Sequence, residues 1–362
     1  MNKLALMRDS LDEATQADLI SRIREHKERW GEKLVILGHH YQRKEIVYLS
    51  DFIGDSFKLC KQAAEQEKAD YIVFCGVHFM AESAKILAQP HQRVFHPNLH
   101  AGCPMADMAP LNRVTEAWAE MGKILGDMNE KVMPITYMNS DGQIKAFTGM
   151  NGGTVCTSSN APKAFEWALD RREKVFFFPD EFLGRNTAQK MGFADDEVVV
   201  WKWRAKEPLG GNTPEAIQKA KVIVWKGFCH VHTHFADTMI DDVRKKQPNA
   251  KVVVHPECPL ETTAKTDAMG STEFICQFVD EAAAGSTIAI GTELNMVERL
   301  QEEYPDRNII PISPSLCHNM IKINLENLCE TLDKLGEHNE ITVPPQIAQY
   351  AKQALDRMLT IQ

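Results

Sequence analysis

The sequence lacks the features that mark several large classes of protein. No apolar run reaches the ~18 residues that a membrane-spanning helix needs, and residues 1–30 are charged and amphipathic, without the apolar centre of a signal peptide. Basic residues are also in deficit, since 41 Lys and Arg oppose 50 Asp and Glu for a formal net charge of −9. Nucleic-acid-binding proteins normally carry a basic excess. We therefore predict a cytoplasmic protein that binds neither nucleic acid nor membrane.

The nine cysteines include no Cys-x-x-Cys pair, so zinc ribbons and thioredoxin-like sites have no support. Without an export signal, these cysteines are expected to be reduced thiols. Five of them lie in helical or strand patterns where a thiol is usually a small buried hydrophobe, namely Cys60, Cys75, Cys156, Cys276 and Cys329. Cys103, Cys229 and Cys317 differ, because each lies in a loop just past a predicted strand.

Short apolar runs alternate with amphipathic helical patterns along the whole chain. Runs such as residues 34–37, 222–225 and 251–254 are typical of strands in a parallel sheet that is buried on both faces. The alternation repeats in three blocks, which predicts an α/β fold of three similar three-layer αβα domains with small parallel sheets around a pseudo-threefold axis.

The predicted domain boundaries follow these blocks. The first domain takes residues 1–102 with the C-terminal helices of 318–362, the second takes 103–228, and the third takes 229–317. Residues 202–214 are polar and rich in Gly and Pro, so we expect a surface insertion in the second domain.

Side chains suited to chemistry follow the first strand of each block, at the edge where open α/β sheets bind ligands. They are His39 and Tyr41, then Tyr137 and Asn139, then His255 and Glu257. Hydroxyls at predicted helix starts can hold a carboxylate or phosphate beside unpaired N–H groups, although ordinary N-capping also explains them. These hydroxyls belong to Ser56, Ser158, Ser271 and Thr272.

Four histidines surround two of the loop cysteines. His232 is a further site candidate, whereas His230, His234 and His318 are expected to be solvated loop residues. Each block ends in one loop cysteine, and packing around a common axis would bring the three thiols together. Three thiolates suit an iron-sulfur cluster or a three-cysteine zinc site, and the residues leave both open. A [4Fe-4S] cluster on three cysteines has one iron without a protein ligand, which can act as a Lewis acid.

From residue 34 to residue 359 the chain resembles the quinolinate synthase family. The resemblance is carried by G-H-H-Y-Q (38–42), G-D-S (54–56), F-M-A-E-S-A-K-I-L (79–87), G-C-P-M-A-D-M (102–108), T-S-S-N-A (157–161), P-D-E-F-L-G-R-N-T (179–187), G-F-C-H-V-H (227–232), H-P-E-C (255–258) and G-S-T (270–272). The insertion resembles the longer subgroup of the family. Cys317 stands in P-S-L-C-H-N-M, without the Cys-x-x-Cys of some members.

This resemblance implies a triangular protein with a [4Fe-4S] cluster on Cys103, Cys229 and Cys317. It implies the condensation of iminoaspartate, made by L-aspartate oxidase, with dihydroxyacetone phosphate to give quinolinate, phosphate and water in de novo NAD biosynthesis. Tyr41 and Glu257 look like the acid/base pair. The implied substrate-binding residues are His39, Ser56, Tyr137, Asn139, Ser158, His255, Glu257 and Thr272. A homodimer is compatible with this prediction.

Three other functions remain open on the sequence. A hydro-lyase acting on another hydroxy acid would use the same cluster, and an iron or redox sensor would bind a cluster without turnover. A zinc hydrolase would use the cysteines without a visible chromophore. The array of acid/base residues favours an enzyme over a sensor.

Overall fold

A computed structural model of the chain, which describes residues 11–361, contains three parallel sheets covered by helices. The strands are β1 Leu34–His39, β2 Phe52–Gly54, β3 Tyr71–Cys75, β4 Arg93–Phe95, β5 Val132–Tyr137, β6 Thr154–Cys156, β7 Lys174–Phe178, β8 Val198–Trp201, β9 Val222–Trp225, β10 Lys251–Val254, β11 Ala268–Met269, β12 Thr287–Gly291 and β13 Asn308–Pro311.

The helices follow the strands in alternation. They are α1 Glu13–Trp30, α2 Lys44–Leu49, α3 Ser56–Glu65, α4 His78–Leu87, α5 Leu111–Leu125, α6 Met128–Lys131, α7 Gly142–Met150, α8 Ala161–Leu169, α9 Glu181–Lys190, α10 Pro214–Lys219, α11 His230–Thr233, α12 Asp237–Lys246, α13 Leu260–Thr263, α14 Thr272–Asp280, α15 Leu294–Glu303, α16 Leu325–Asp333 and α17 Pro345–Thr360. No helix within residues 11–361 combines the length and the apolar character needed to cross a membrane.

The three sheets share one strand order. The first sheet is ordered β2-β1-β3-β4 and the third β11-β10-β12-β13, while the second, β6-β5-β7-β9-β8, has the same order with β8 added at one edge. Every pairing is parallel. The predicted α/β fold with three small parallel sheets is therefore confirmed. In each sheet the strand that comes first in the chain (β1, β5 or β10) pairs with a short strand (β2, β6 or β11). A helix is the next element after each of these short strands.

The chain divides into two compact units. The first unit comprises the described residues up to 102 together with 317–342, and contains the first sheet. Its core packs α1 and α16 against that sheet, with Ile23, Ile36, Val73 and Leu328 fully buried. The buried faces of two amphipathic helices thus close one side of the sheet.

The second unit comprises residues 103–316 together with the described residues from 343 onward, and contains the second and third sheets. Its largest core cluster surrounds Phe176, Phe178 and Trp225, which are fully buried. The predicted insertion at 202–214 keeps its charged residues exposed, but Leu209 is buried in this core and its N–H donates to Glu120 Oε2 at 2.7 Å. One apolar residue therefore anchors an otherwise solvated segment.

The last helix corrects one part of the predicted domain organisation. The prediction grouped 318–362 with the first domain, whereas α17 packs on α7 and β6 in the second unit. Contact is close because residue 149 is glycine, where a Cβ atom would lie 2.0 Å from the Tyr350 carbonyl oxygen. Residues 317–342, which include α16, stay with the first sheet, and the other predicted domain boundaries stay predictions.

Candidate active site

The turns after β1 and β10 have the same hydrogen-bond pattern. The carbonyls of His39 and His255 each accept from the N–H three residues later, at 2.9 and 3.0 Å. The Nδ1 atoms of these histidines also accept from the N–H two residues later, which belongs to Tyr41 at 3.2 Å and to Glu257 at 3.4 Å. Tyr41 and Glu257 therefore occupy equivalent positions in two equivalent turns.

In the second unit, Tyr137 and Glu257 form the centre of the site. Tyr137 is the last residue of β5, and its hydroxyl donates to Glu257 Oε1 at 2.5 Å. Both side chains are buried, with 6% and 2% of their surface exposed. The sequence proposed both as site residues, and the structure brings them into direct contact.

Two histidines lie beside this pair. The rings of His232 and His255 stack with centroids 4.3 Å apart and planes 16° apart. Since His255 Nδ1 accepts the backbone N–H of Glu257, the neutral ring carries its proton on Nε2, which lies 3.2 Å from the Ser158 hydroxyl. The ring thus joins the strand-end turn to a hydroxyl that precedes α8.

Burial controls the protonation states of these groups. Burial raises the pKa of Glu257 to about 7, against hydrogen bonds from Tyr137 and Cys229 that lower it. Burial lowers the pKa of His255 to about 3 and holds the pKa of His232 well below its usual range. The two imidazoles are therefore neutral near pH 7, while the Glu257 carboxyl gains and loses a proton there.

A second buried carboxyl accompanies Glu257. Asp180, fully buried, caps α9 by accepting the Leu183 N–H at Oδ1, 2.7 Å away, and its Oδ2 has no hydrogen-bond partner within residues 11–361. Burial, followed by the charge of Glu257, raises the pKa of Asp180 well above its usual range. Two ionised carboxylates are thereby disfavoured in this part of the core.

Of the hydroxyls predicted at helix starts, one is a cap, two belong to first helical residues, and that of Ser158 lies in the turn before α8. Ser271 caps α14 by accepting the Phe274 N–H at 3.3 Å, and Thr272 is the first residue of that helix. The Thr272 Oγ1 is buried and has no hydrogen-bond partner in the described chain. In α3 the cap is Asp55, so Ser56 holds the same first-residue position as Thr272. N-capping therefore accounts for Ser271 but not for Ser56 or Thr272.

The three loop cysteines share a local geometry. The carbonyls of Cys103, Cys229 and Cys317 each accept a hydrogen bond from the N–H four residues later, at 3.2, 3.0 and 3.3 Å. Each cysteine is thus the first residue of a helical turn in the loop that follows the last strand of its block. All three residues are half-buried. Of the five cysteines expected in packed patterns, Cys276 is also half-buried, and the others are buried.

Cys229 also belongs to a group of three possible metal ligands. Its Sγ, a ring nitrogen of His232 and a carboxylate oxygen of Glu257 all lie within 4.8 Å of one another. Sulfur, nitrogen and carboxylate oxygen are all donors that divalent metals accept. The arrangement can therefore hold a metal ion, or can place a metal centre at Cys229 beside an acid/base group.

In the first unit, the turn after β1 is tied to the turn that Cys317 opens. Arg43 donates from Nη2 to the Ile321 carbonyl at 3.0 Å, and Gln42 donates to the Met320 sulfur at 3.3 Å. The segment carrying His39 and Tyr41 is therefore fixed against the segment that follows Cys317. The His39 and Tyr41 rings themselves meet edge to face, 4.8 Å apart.

Other predicted residues have plainer environments. Asn139 is half-buried in the loop after β5, His234 and His318 are exposed, and His230 is half-buried. The sequence did not predict Asp180 or Asn186 as site residues, although both lie in the motif P-D-E-F-L-G-R-N-T (179–187). Only the motif itself pointed to these two residues, because they interact with the segment around Glu257, which lies far away in the sequence.

Parallel sheets that direct a buried carboxyl, a phenol and two neutral imidazoles to their strand ends define an α/β enzyme with an acid/base site. The chain belongs to the quinolinate synthase family. The family described as "Quinolinate synthetase A protein" matches residues 21–360.

Relatives at similar length support the same assignment. The chain is 46% identical over 353 residues to the quinolinate synthase of Corynebacterium glutamicum, covering 96% of this chain and 89% of the relative. It is 48% identical to that of Herpetosiphon aurantiacus, covering 95% and 92%, and 50% identical to that of Acidobacterium capsulatum, covering 94% and 92%. Among solved structures, a D-lactate dehydrogenase from Sporolactobacillus matches with 11% identity over 90% of this chain and 96% of that one, and its TM-score of 0.18 supports no conclusion.

Proposed function

We propose that this chain condenses iminoaspartate with dihydroxyacetone phosphate to give quinolinate, phosphate and water in de novo NAD biosynthesis. Family membership supports the product. The observation that best supports an acid/base reaction is the buried Tyr137–Glu257 pair, because the pKa of its carboxyl is raised to about 7. Acid/base catalysis is most effective when the pKa of the group lies near the working pH.

We propose that Glu257 and Tyr41 move protons during enolisation and dehydration. Glu257 can take a proton at a carboxylate oxygen and return it at neutral pH, while the Tyr137 hydroxyl keeps that carboxyl in place. The equivalent position of Tyr41 in the turn after β1 supports its role as the second proton-transfer group.

The substrates of this reaction are anions, and the remaining site residues suit them. Ser56 and Thr272 each begin a helix whose cap is the preceding residue, so each hydroxyl lies at a helix N-terminus, where the first N–H groups have no partner within the helix itself. Neutral His255 donates its Nε2–H to the Ser158 hydroxyl, which leaves the hydroxyl's own proton to be donated to a substrate oxygen. We propose that these groups, with His39, Asn139 and His232, bind the substrate carboxylates and phosphate.

We propose a [4Fe-4S] cluster as the cofactor, held by Cys103, Cys229 and Cys317. The chain fits this group, since three thiols occupy the same helical-turn position in the three blocks and are half-buried rather than packed away. When bound, such a cluster supplies one iron without a protein ligand as a Lewis acid for a substrate oxygen. This cofactor would lie close to the proposed proton-transfer group Glu257 and to His232, since both have a ligand atom within 4.8 Å of the Cys229 thiol.

The direct test is quinolinate formation by anaerobically purified protein, supplied with dihydroxyacetone phosphate and with iminoaspartate generated by an L-aspartate oxidase. Product in the wild type, and a loss of at least about 100-fold in Glu257→Gln, would support the proposal. An intact cluster with no product would instead point to a hydro-lyase acting on another hydroxy acid. We further propose that the enzyme works in the cytoplasm and receives its substrate from that oxidase, and that it forms a homodimer.

A second function has support from one observation. The Cys229, His232 and Glu257 donors resemble a three-ligand site for a single divalent ion, which would suit a metal-dependent hydrolase. Metal analysis separates the two proposals. Iron and sulfide at about four each per chain support the cluster, whereas one zinc ion without sulfide supports the hydrolase.

A further inference from the structure

The turn that carries Glu257 is held by a residue from another part of the second unit. Asn186 lies in α9 with 2% of its surface exposed, and its Nδ2 donates to the Pro256 carbonyl at 2.8 Å and to the Cys258 carbonyl at 2.9 Å. These two carbonyls bracket Glu257. The Asn186 amide therefore fixes the backbone on both sides of a proposed acid/base residue.

The orientation of this amide is determined by its partners. Carbonyl oxygens only accept hydrogen bonds, so the NH₂ end of Asn186 must face them. The Oδ1 atom faces the Thr263 hydroxyl at 2.9 Å, and that hydroxyl is also 3.0 Å from the Leu260 carbonyl. Both amide hydrogens of Asn186 are thus used on the Glu257 turn.

Helix α9 gives the amide a rigid base. Residue 184 is glycine, and a Cβ atom added there would lie 2.6 Å from the side chains of both Phe177 and Val224. The helix therefore packs directly on β7 and β9. Asp180 caps its first turn. A displacement of the Asn186 amide would therefore require movement of a packed helix.

We propose that Asn186 is a positioning residue, which holds the Glu257 carboxyl in reach of the Tyr137 hydroxyl and of the substrate. This inference rests on the proposed function, because the catalytic role of Glu257 is part of that proposal. Misplacing a catalytic group by about 1 Å can lower a rate by roughly 100-fold. The loss should appear in kcat, since the Asn186 amide uses both of its hydrogens on the carbonyls that flank Glu257 and its oxygen faces the Thr263 hydroxyl.

The first comparison uses two asparagines with the same local chemistry. Asn212 also donates from Nδ2 to two carbonyls, those of Val200 at 3.0 Å and Leu209 at 2.8 Å, in a segment without predicted site residues. We expect Asn186→Ala to lower kcat by roughly 30- to 100-fold with KM within about threefold. Asn212→Ala should leave both constants within about twofold. Equal kcat losses in the two variants would overturn the proposal.

A double-mutant cycle separates positioning from general destabilisation. If Asn186 acts through Glu257, then adding Asn186→Ala to Glu257→Ala should lower the residual rate by less than about twofold. A further loss as large as in the wild-type background would show that Asn186 acts independently of Glu257. Thr263→Val, which keeps both carbonyl bonds but removes the hydroxyl facing Oδ1, should lower kcat by roughly threefold to tenfold only while Glu257 is present. That variant provides the test if Asn186→Ala does not fold.

A structural measurement makes the inference separable from the reaction. In a crystal structure of Asn186→Ala, the Tyr137 hydroxyl and the Glu257 carboxyl should no longer be hydrogen-bonded, compared with 2.5 Å in the unaltered chain. An unchanged contact would overturn the positioning role even if the enzyme is active. Wild-type protein that makes no quinolinate would instead contradict the proposed function, and the crystal structure would still decide the role of Asn186.

Discussion

The Tyr137 hydroxyl contacts Glu257 Oε1 at 2.5 Å, although 120 positions separate the two residues in the chain. Tyr137 ends the first strand of the second sheet, and Glu257 follows the first strand of the third. Equivalent strand ends of two repeated sheets thereby supply the two halves of one buried donor–acceptor pair. The repeat in the fold is thus what creates the site in this unit.

Tyr137→Phe tests this contact. The phenol lowers the pKa of Glu257 by hydrogen bonding, so its removal should raise that pKa above about 7. A buried carboxyl that loses a donor costs about 1–3 kcal/mol of folding free energy. Because Glu257 must be ionised to accept a proton, we expect the acidic limb of the pH–rate profile to move to higher pH, and denaturant unfolding to show the loss of stability. A profile and an unfolding midpoint identical to wild type would contradict the contact.

The buried His255 should make the folding stability of the metal-free protein sensitive to acid. Its folded-state pKa of about 3 lies below the unfolded value near 6.5, so the stability it contributes is present above about pH 6.5 and is lost as the pH falls toward 3. Because each pKa unit corresponds to about 1.4 kcal/mol, the full loss is on the order of 5 kcal/mol.

Replacing His255 should remove this acid sensitivity. The free energy of unfolding of His255→Asn, measured in urea between pH 7 and pH 4, should fall less steeply than that of wild type. The exposed His91 provides the control, and His91→Asn should keep the wild-type slope. Parallel slopes for wild type and His255→Asn would show that this imidazole is not held neutral by burial.

The loop cysteines make a prediction about cofactor content. Cys103→Ser, Cys229→Ser and Cys317→Ser should each lose iron, sulfide and the visible absorption of the anaerobically purified protein. Cys276→Ser is the matched control, because Cys276 is half-buried but lies within α14. Cys60→Ser tests a buried thiol. Retention of iron and sulfide in all three loop variants would contradict the ligand assignment.

The docking of α17 predicts a stability effect far from the chemistry. In Gly149→Ala the new Cβ would overlap the Tyr350 carbonyl, which is backbone and cannot rotate away. We expect a loss of about 2 kcal/mol or more in the free energy of unfolding. Gly102→Ala is the control, because no atom lies within 4 Å of a Cβ built there. Equal unfolding midpoints for the two variants would place α17 elsewhere.

The sequence predicted most of the sheets and missed some short elements for physical reasons. Continuous apolar runs such as β7 identify buried parallel strands without help from periodicity. The pattern of residues 51–67 alone predicts one helix, whereas the structure has the strand β2 followed by α3, because a three-residue strand is too short to show a period. Helix α7 was missed because seven of its nine residues are buried, which leaves no polar face to reveal an amphipathic pattern.

The site divides in the same way. Its strand-end residues could be predicted, because carboxyl ends of parallel strands gather side chains for binding. The pairing of Tyr137 with Glu257 and the hold of Asn186 on the Glu257 turn could not, since both depend on packing between segments at least 70 positions apart.

We propose that the acid/base site around Glu257 makes quinolinate. The most direct measurement is quinolinate formed by anaerobically purified protein from dihydroxyacetone phosphate and freshly generated iminoaspartate, with Glu257→Gln assayed in parallel. We predict product from the wild type and a loss of at least about 100-fold in the variant. Equal rates in the two proteins, or no product from cluster-loaded wild type, would contradict this claim.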